Sequence, residues 1–117
     1  MMGKIPARVA SLATAEFSPR FEYGHMAQSS VITGKGGDGT RLGSGFVRMK
    51  KAEIPWTIKY DEVILVLDGQ LTVRTADGDL VAGPMECIWL PDGTELTYIA
   101  EDALLFYAIE PANWAEG

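Results

Sequence analysis

The chain holds a single cysteine, Cys87, and a single histidine, His25. One cysteine forms no disulfide within the chain, which suits a reducing compartment, and a cytoplasmic protein is expected. One histidine removes the commonest donor for zinc, iron or nickel, so a centre built from several histidines is excluded. Basic residues are scarce as well: 10 lysines and arginines against 16 acids give a net charge of -6, and the positive ones are dispersed. Without a basic stripe to neutralise phosphates, nucleic-acid binding is disfavoured. No apolar run approaches the ~20 residues of a membrane-spanning helix. Near the start, Met1 to Thr14 holds a small apolar patch and Ala13-Thr14-Ala15 mimics a cleavage site, but Arg8 and Ser11 interrupt the patch, which argues against a signal peptide. Also missing is any amphipathic stretch long enough for a core helix.

What is present is a chain of 117 residues, 47% hydrophobic and 22% charged, enough for one domain around one core. From Ser29 onward short β-branched and aromatic runs alternate with turn residues. Strands are expected near Ser29–Thr33, Leu42–Met49, Ile54–Ile58, Glu62–Leu67, Gln70–Thr75, Leu80–Ala82, Glu86–Leu90, Glu95–Ile99 and Ala103–Ile109. Reversals are expected at Asp68-Gly69, Asp77-Gly78, Gly83-Pro84, Pro91-Asp92-Gly93 and Glu101-Asp102. Regular turns of this kind predict an all-β small barrel or sandwich over 29–117. The preceding segment, 1–28, is Ala-rich and then aromatic, and is expected to be an arm with one helical turn. The run Gly34-Lys35-Gly36-Gly37-Asp38-Gly39 has the letters of a dinucleotide fingerprint but leads into glycine-broken sequence and another strand. A phosphate loop must open a helix, so a mobile β-loop is expected instead.

The stretch from Ile54 to Gly69 has the frame of a cupin metal motif, in which a His-x-His pair precedes a glutamate that stands seven residues before a turn glycine. Glu62 and Gly69 fit, whereas Trp56 and Ile58 stand in the histidine positions. In the second cupin motif a histidine follows the Pro-x-Gly turn; after Pro91-Asp92-Gly93 that position is Leu96. Three hydrophobic side chains and one carboxylate cannot hold a transition metal tightly, so neither a metal nor another cofactor is expected. Pro55-Trp56-Thr57 with Tyr60-Asp61-Glu62, the Leu90-Pro91 and Gly93-Thr94 turn, and Pro111-Ala112-Asn113-Trp114 together resemble the cupin domain of the ethanolamine-utilisation protein Q family, over Gly43 to Trp114. The resemblance implies a cupin double-stranded β-helix, a jelly-roll-like barrel, usually dimeric and linked to bacterial amine catabolism. An acetate-kinase-like activity attributed to that family is not carried over, since no ATP site is recognisable here.

If Glu62 faces the barrel interior, strand alternation turns Ile64 and Val66 the same way and Val63, Leu65 and Leu67 outward. The carboxylate then lies among apolar walls, where desolvation raises its pKa and marks a site. The competing reading has Glu62 bonded to a barrel tyrosine and settling the register. Tyr60, Tyr98 and Tyr107 are the candidate partners; each taken singly reads as a packed core or interface residue, and it is their convergence with Glu62 that points to a site. Trp56 and Trp89 are candidate walls for an amine or other small organic molecule, with Ile58 and Leu96 beside them. Cys87 reads as a small buried hydrophobe. Three functions remain open. One is a metal-independent small-molecule binder, accessory or regulatory in amine or carbonyl catabolism. The second is an isomerase, lyase or hydrolase with Glu62 as general acid or base and Tyr60 or Tyr98 as hydrogen-bond donor. The third is a recruitment module without a working pocket. Apolar residues on the outer side of Glu62–Leu67 also predict a homodimer, with the arm contributing.

Overall fold

Alternation of side chains sets the architecture, and β4 (Asp61–Gly69) shows it most clearly: Glu62, Ile64 and Val66 are buried while Val63 is exposed. The computed structural model describes residues 5–35 and 39–115. Among these, the strands before β4 are β1 (Ser18–Pro19), β2 (Ala27–Thr33) and β3 (Gly43–Thr57). After it come β5 (Leu71–Thr75), β6 (Gly78–Ala82), β7 (Cys87–Leu90) and β8 (Glu95–Glu110). The helical content of the described residues is two short 3-10 turns, Leu12–Thr14 and Phe21–Tyr23. No helix among them is long and apolar enough to cross a membrane.

Every strand pair is antiparallel, in the order β1-β2-β3-β8-β4-β7, with β5 joined to β8 and β6 to β5. β8 is the seam of the fold. One edge pairs with β3 from Gly43↔Ile109 to Thr57↔Glu95, and the other pairs first with β4 and then with β5. Residues from all these strands meet in one core that includes Ile54, Ile64, Val66, Leu71, Val73, Leu90 and Leu105.

Two expected interruptions are not there. Leu42–Met49 and Ile54–Ile58 belong to one strand of 15 residues, and Glu95–Ile99 and Ala103–Ile109 to one of 16. Glu101-Asp102 is therefore no reversal; Asp102 pairs with Lys50 inside the ladder. Lys51, with a φ of 45°, lies between Lys50↔Asp102 and Ala52↔Ala100, and the register is the same on either side of it. The ladder passes through this local distortion without a change of register, which polar letters alone do not reveal.

The sheet also reaches back into segment 1–28. Ser18 and Pro19 pair with Ser29 and Gln28, β2 begins at Ala27, and the Arg20 N–H donates to the Ala27 carbonyl at 3.1 Å. That fold-back brings Arg20 and Tyr23 to the barrel. Residues 1–4 of the arm, 36–38 of the glycine-rich loop and 116–117 lie outside the described residues.

Candidate ligand-binding site

The loop between β3 and β4 is pinned at both ends, which aims the residues that follow. Ile58 donates its N–H to Thr94 and accepts from Gly93, while Asp61 Oδ1 accepts the Asp92 N–H at 2.9 Å. β4 therefore starts against the Pro91–Gly93 turn in one register, and its second residue, Glu62, points inward at 7% exposure. From β8, directly across from Ile54, Tyr98 reaches the same space and its hydroxyl donates to Glu62 Oε1 at 2.8 Å. Tyr60, at 2% exposure, lines the same space beside Trp56 and Tyr98. Tyr107 arrives opposite Gly45, where a Cβ would lie 3.0 Å from the tyrosine hydroxyl. The missing side chain makes room for the ring. Trp114 packs on Tyr60 and Trp56, with ring centroids 5.3 and 6.0 Å away, and so braces the aromatic wall from the terminal Pro-Ala-Asn-Trp segment.

These residues enclose a cavity of about 50 Å³ whose apolar walls come from Val47, Met49, Ile54, Ile64 and Leu105. Space of that size holds a few waters or a metabolite of fewer than about ten non-hydrogen atoms. Burial pushes the Glu62 carboxyl from 4.5 up to about 7, against the opposing pull of the Tyr98 hydrogen bond and the Arg20 charge. Burial likewise raises Tyr60 to about 12, helped by the neighbouring Glu62, and it raises Tyr98 and Tyr107 as well. The cavity thus presents one carboxyl poised between its two forms, beside hydroxyls that stay protonated.

Glu62, Tyr60, Tyr98, Tyr107 and Trp56 converge on this cavity. Ile58 and Leu96 do not form part of its wall, although both are buried, at 0% and 6% exposure. Leu96 is paired with Trp56, one step along the ladder from the Ile54↔Tyr98 pair that frames the carboxylate. Trp89 is 57% exposed and stands opposite Val63 on the outer face, so it is no pocket wall. Cys87 is exposed too, rather than a buried hydrophobe, because Ile88 and Leu90 take the inward positions of β7. His25 is exposed in the arm. Arg20 and Tyr23 were missed by sequence reasoning. Neither lies in a motif of the barrel, and no local pattern announces that the arm folds over it.

The cupin frame implies a metal, and the side chains here do not fit one. Among the described residues no three His, Cys, Asp or Glu side chains converge. Glu62 has a phenol and a guanidinium as polar neighbours, and a divalent cation would have to compete with the latter.

An antiparallel barrel seamed along one long strand, with a buried glutamate in the metal-motif frame, is a cupin. Accordingly, the chain superimposes on an RmlC-like cupin from Shewanella frigidimarina with a TM-score of 0.70 over 91% of this chain and 92% of that one, at 12% identity, a likeness of fold alone. The chain belongs to the family of ethanolamine utilisation protein EutQ, whose model matches residues 19–116. It is 34% identical over 87 residues to acetate kinase EutQ of Escherichia coli K12, a match covering 74% of this chain and 36% of that protein. The chain thus spans about a third of that relative's length. It also resembles the crystal structure of a putative ethanolamine utilization protein Q from Salmonella typhimurium LT2, with a TM-score of 0.81, 24% identity, and coverage of 90% of this chain and 86% of that one.

Proposed function

We propose that this cupin binds a small organic metabolite in the barrel cavity, with Glu62 as the group that recognises it, as an accessory or regulatory protein of amine or carbonyl catabolism. The observation that carries this reading is a carboxyl at 7% exposure that lines an open cavity and has Tyr98 as its hydrogen-bond donor. A purely structural glutamate has no need of space beside it. The same space tells against a recruitment module whose barrel is filled with side chains. Its size also limits the chemistry: a nucleotide is far larger than this cavity, so the kinase activity named for the Escherichia coli relative is not part of the proposal. An enzymatic reading is favoured by one further feature, the Glu62 carboxyl lifted to about 7, the range in which a general acid or base exchanges protons with substrate near neutral pH. Tyr60 or Tyr98 would be the hydrogen-bond donor, in an isomerase, lyase or hydrolase type of reaction.

The test is a titration of small amines, aldehydes, carboxylates and sugars against wild type and Glu62→Gln, with melting temperature followed alongside. At least one compound is expected to bind wild type and to lose about tenfold or more in affinity in the variant. Equal affinities from two folded proteins would remove Glu62 from recognition, and turnover of a bound compound would favour the enzyme.

Assembly as a homodimer belongs to the same proposal. Val63, Val81, Met85 and Trp89 are 43, 56, 72 and 57% exposed, and apolar strand faces of this kind are normally covered. The outward face of β4 continues across the ladder into β7 through Val63↔Trp89 and Leu65↔Cys87, a strip that a second copy would bury against itself. Sedimentation is expected to give a dimer that Trp89→Glu dissociates. A monomer at every concentration would contradict it. The exposed free thiol of Cys87 suits the proposed cytoplasmic setting.

A further inference from the structure

We infer that the ligand is a small primary ammonium compound, which donates an N–H to the open oxygen of Glu62 and lays a short alkyl part against the apolar walls. The inference rests on the proposed function above and deepens it. The Tyr98 hydroxyl occupies Glu62 Oε1, and among the described residues no lysine or arginine forms an ion pair with the carboxyl. Every fully enclosed side-chain oxygen of the described residues has a hydrogen-bond partner, so Oε2, which has none, opens onto the cavity. A carboxylate that serves only the fold is normally buried together with a counter-charge, because desolvation opposes the charge of an unpaired one. Here the counter-charge is missing and the space for it is present.

Other small ligands leave this arrangement unused. An uncharged acceptor such as a ketone is served by phenol hydroxyls, which Tyr60 and Tyr107 already bring to the cavity, and has no need of a carboxyl. An anion is repelled by ionised Glu62, and a quaternary ammonium has no N–H to give to Oε2. A primary ammonium supplies both the charge and the N–H. The rings of Tyr60, Tyr98 and Trp56 line the space it would occupy, and aromatic faces attract a cation. Arg20 is engaged elsewhere, over the Tyr107 ring at 5.9 Å from its centroid and in a further contact. Its charge is still felt at Glu62, which opposes a doubly charged ligand more than a singly charged one. Val47, Met49, Ile54, Ile64 and Leu105 offer no polar group, so the rest of the ligand is hydrocarbon.

Five probes of similar size decide it: n-propylamine, 1-propanol, acetone, propionate and tetramethylammonium, titrated against wild type by NMR at pH 6 and pH 8. At pH 8 n-propylamine is expected to bind about tenfold or more tighter than each of the others. Its affinity should be about tenfold lower at pH 6, because the carboxyl ionises near 7 and only the ionised form pairs with a cation that stays protonated throughout. The carboxyl is faced by Tyr60 from the β3–β4 loop, Tyr98 and Tyr107 from β8, Arg20 and Tyr23 from the fold-back, and Leu90 of β7. Burial lifts Tyr60, Tyr98 and Tyr107 further from neutrality, so the step belongs to Glu62. Glu62→Gln should bring n-propylamine down to the level of 1-propanol and abolish the step. Tyr98→Phe keeps the carboxyl but removes the donor that favours its ionised form, so it should move the step to higher pH, and it keeps the test available even where Glu62→Gln alters folding. If 1-propanol, acetone or propionate binds as tightly as n-propylamine at pH 8, the inference is overturned while the binding function stands. An amine affinity that is level or falls from pH 6 to pH 8 overturns it equally, as does a step that Tyr98→Phe leaves in place. Tetramethylammonium bound as tightly as n-propylamine would strike out the N–H to Oε2. Silence from all five probes also rejects the ammonium, and the broader panel described above then judges the pocket itself.

Discussion

Glu62→Gln is expected to stabilise the protein by about 3 kcal/mol at pH 8 and to have almost no effect at pH 4, a difference set by the displaced ionisation of one buried group. The unfolded glutamate ionises near 4.5 and the folded one near 7. Below pH 4.5 both states carry the proton and the group contributes nothing. Between those values the unfolded chain has released its proton while the folded protein still holds it, so stability falls as pH rises. Above about 7 the full penalty of a buried charge is present. The groups that face this carboxyl do not blur the window. Tyr60, Tyr98 and Tyr107 are all raised above the usual tyrosine value. Glutamine retains an oxygen for the Tyr98 hydroxyl but carries no charge to bury. Denaturant unfolding of both proteins from pH 4 to 8 should therefore give a falling curve for wild type and a flatter one for the variant. At pH 8 the gain in melting temperature should be on the order of 10 °C. Parallel curves would mean that Glu62 is hydrated in solution, and the site would lose its electrostatic basis.

Gly69→Ala is expected to destabilise the fold by roughly 3–5 kcal/mol, among the largest effects of any single methyl group in this chain. Gly69 closes the hairpin between β4 and β5 at a φ of 80°, which alone is unfavourable for alanine. Space makes it worse: a Cβ there would lie 2.1 Å from the Asp102 carbonyl oxygen and 3.0 Å from the Ala103 Cα. Both are backbone atoms of β8, paired with β4 at this point, so no side chain can swing aside and the ladder itself would have to part. Gly78→Ala is the matched control. Its φ is 123°, yet a Cβ there meets nothing within 4 Å, so only the conformational penalty applies, about 1–2 kcal/mol. Equal losses in the two variants, measured by thermal unfolding, would show that φ rather than contact with β8 governs Gly69.

Motif spacing was enough to foresee the hairpin at Gly69 and the inward aim of Glu62, because both follow from local counting. Strand alternation has a period of two, and the distance from Glu62 to Gly69 places the turn. The same counting fails for β7. Cys87, Ile88, Trp89 and Leu90 are all apolar, so either phase buries hydrophobic residues, and pattern alone cannot choose between them. The choice is made by register against β4, where Leu90 stands opposite Glu62 and Ile88 opposite Ile64. Those two enter the core, and Trp89 and Cys87 are left outside. For Ile58 and Leu96 the inward direction was legible but the depth was not. Burial alone does not decide contact with the cavity: Leu96 is paired with Trp56, which does line it, and Ile58 follows the end of β3, yet neither of the two forms part of the wall.

By itself the sequence determined that the protein is all-β, that a carboxylate faces its interior without the histidines of a metal centre, and that turns at Gly69 and at Asp77-Gly78 close two of its hairpins. These properties depend on near neighbours: alternating side chains, glycines at fixed offsets, donor atoms that are present or absent. Tertiary structure alone decided that β3 and β8 run unbroken, that the aromatic wall is braced by Trp114, and that the cavity acquires a positive charge at its mouth. Arg20 comes from a segment with no barrel motif of its own, and it reaches the cavity that Glu62 lines only because Ser18 and Pro19 pair with β2 and turn the chain back. Contacts between distant segments depend on how whole strands align, and that alignment is a property of the assembled sheet.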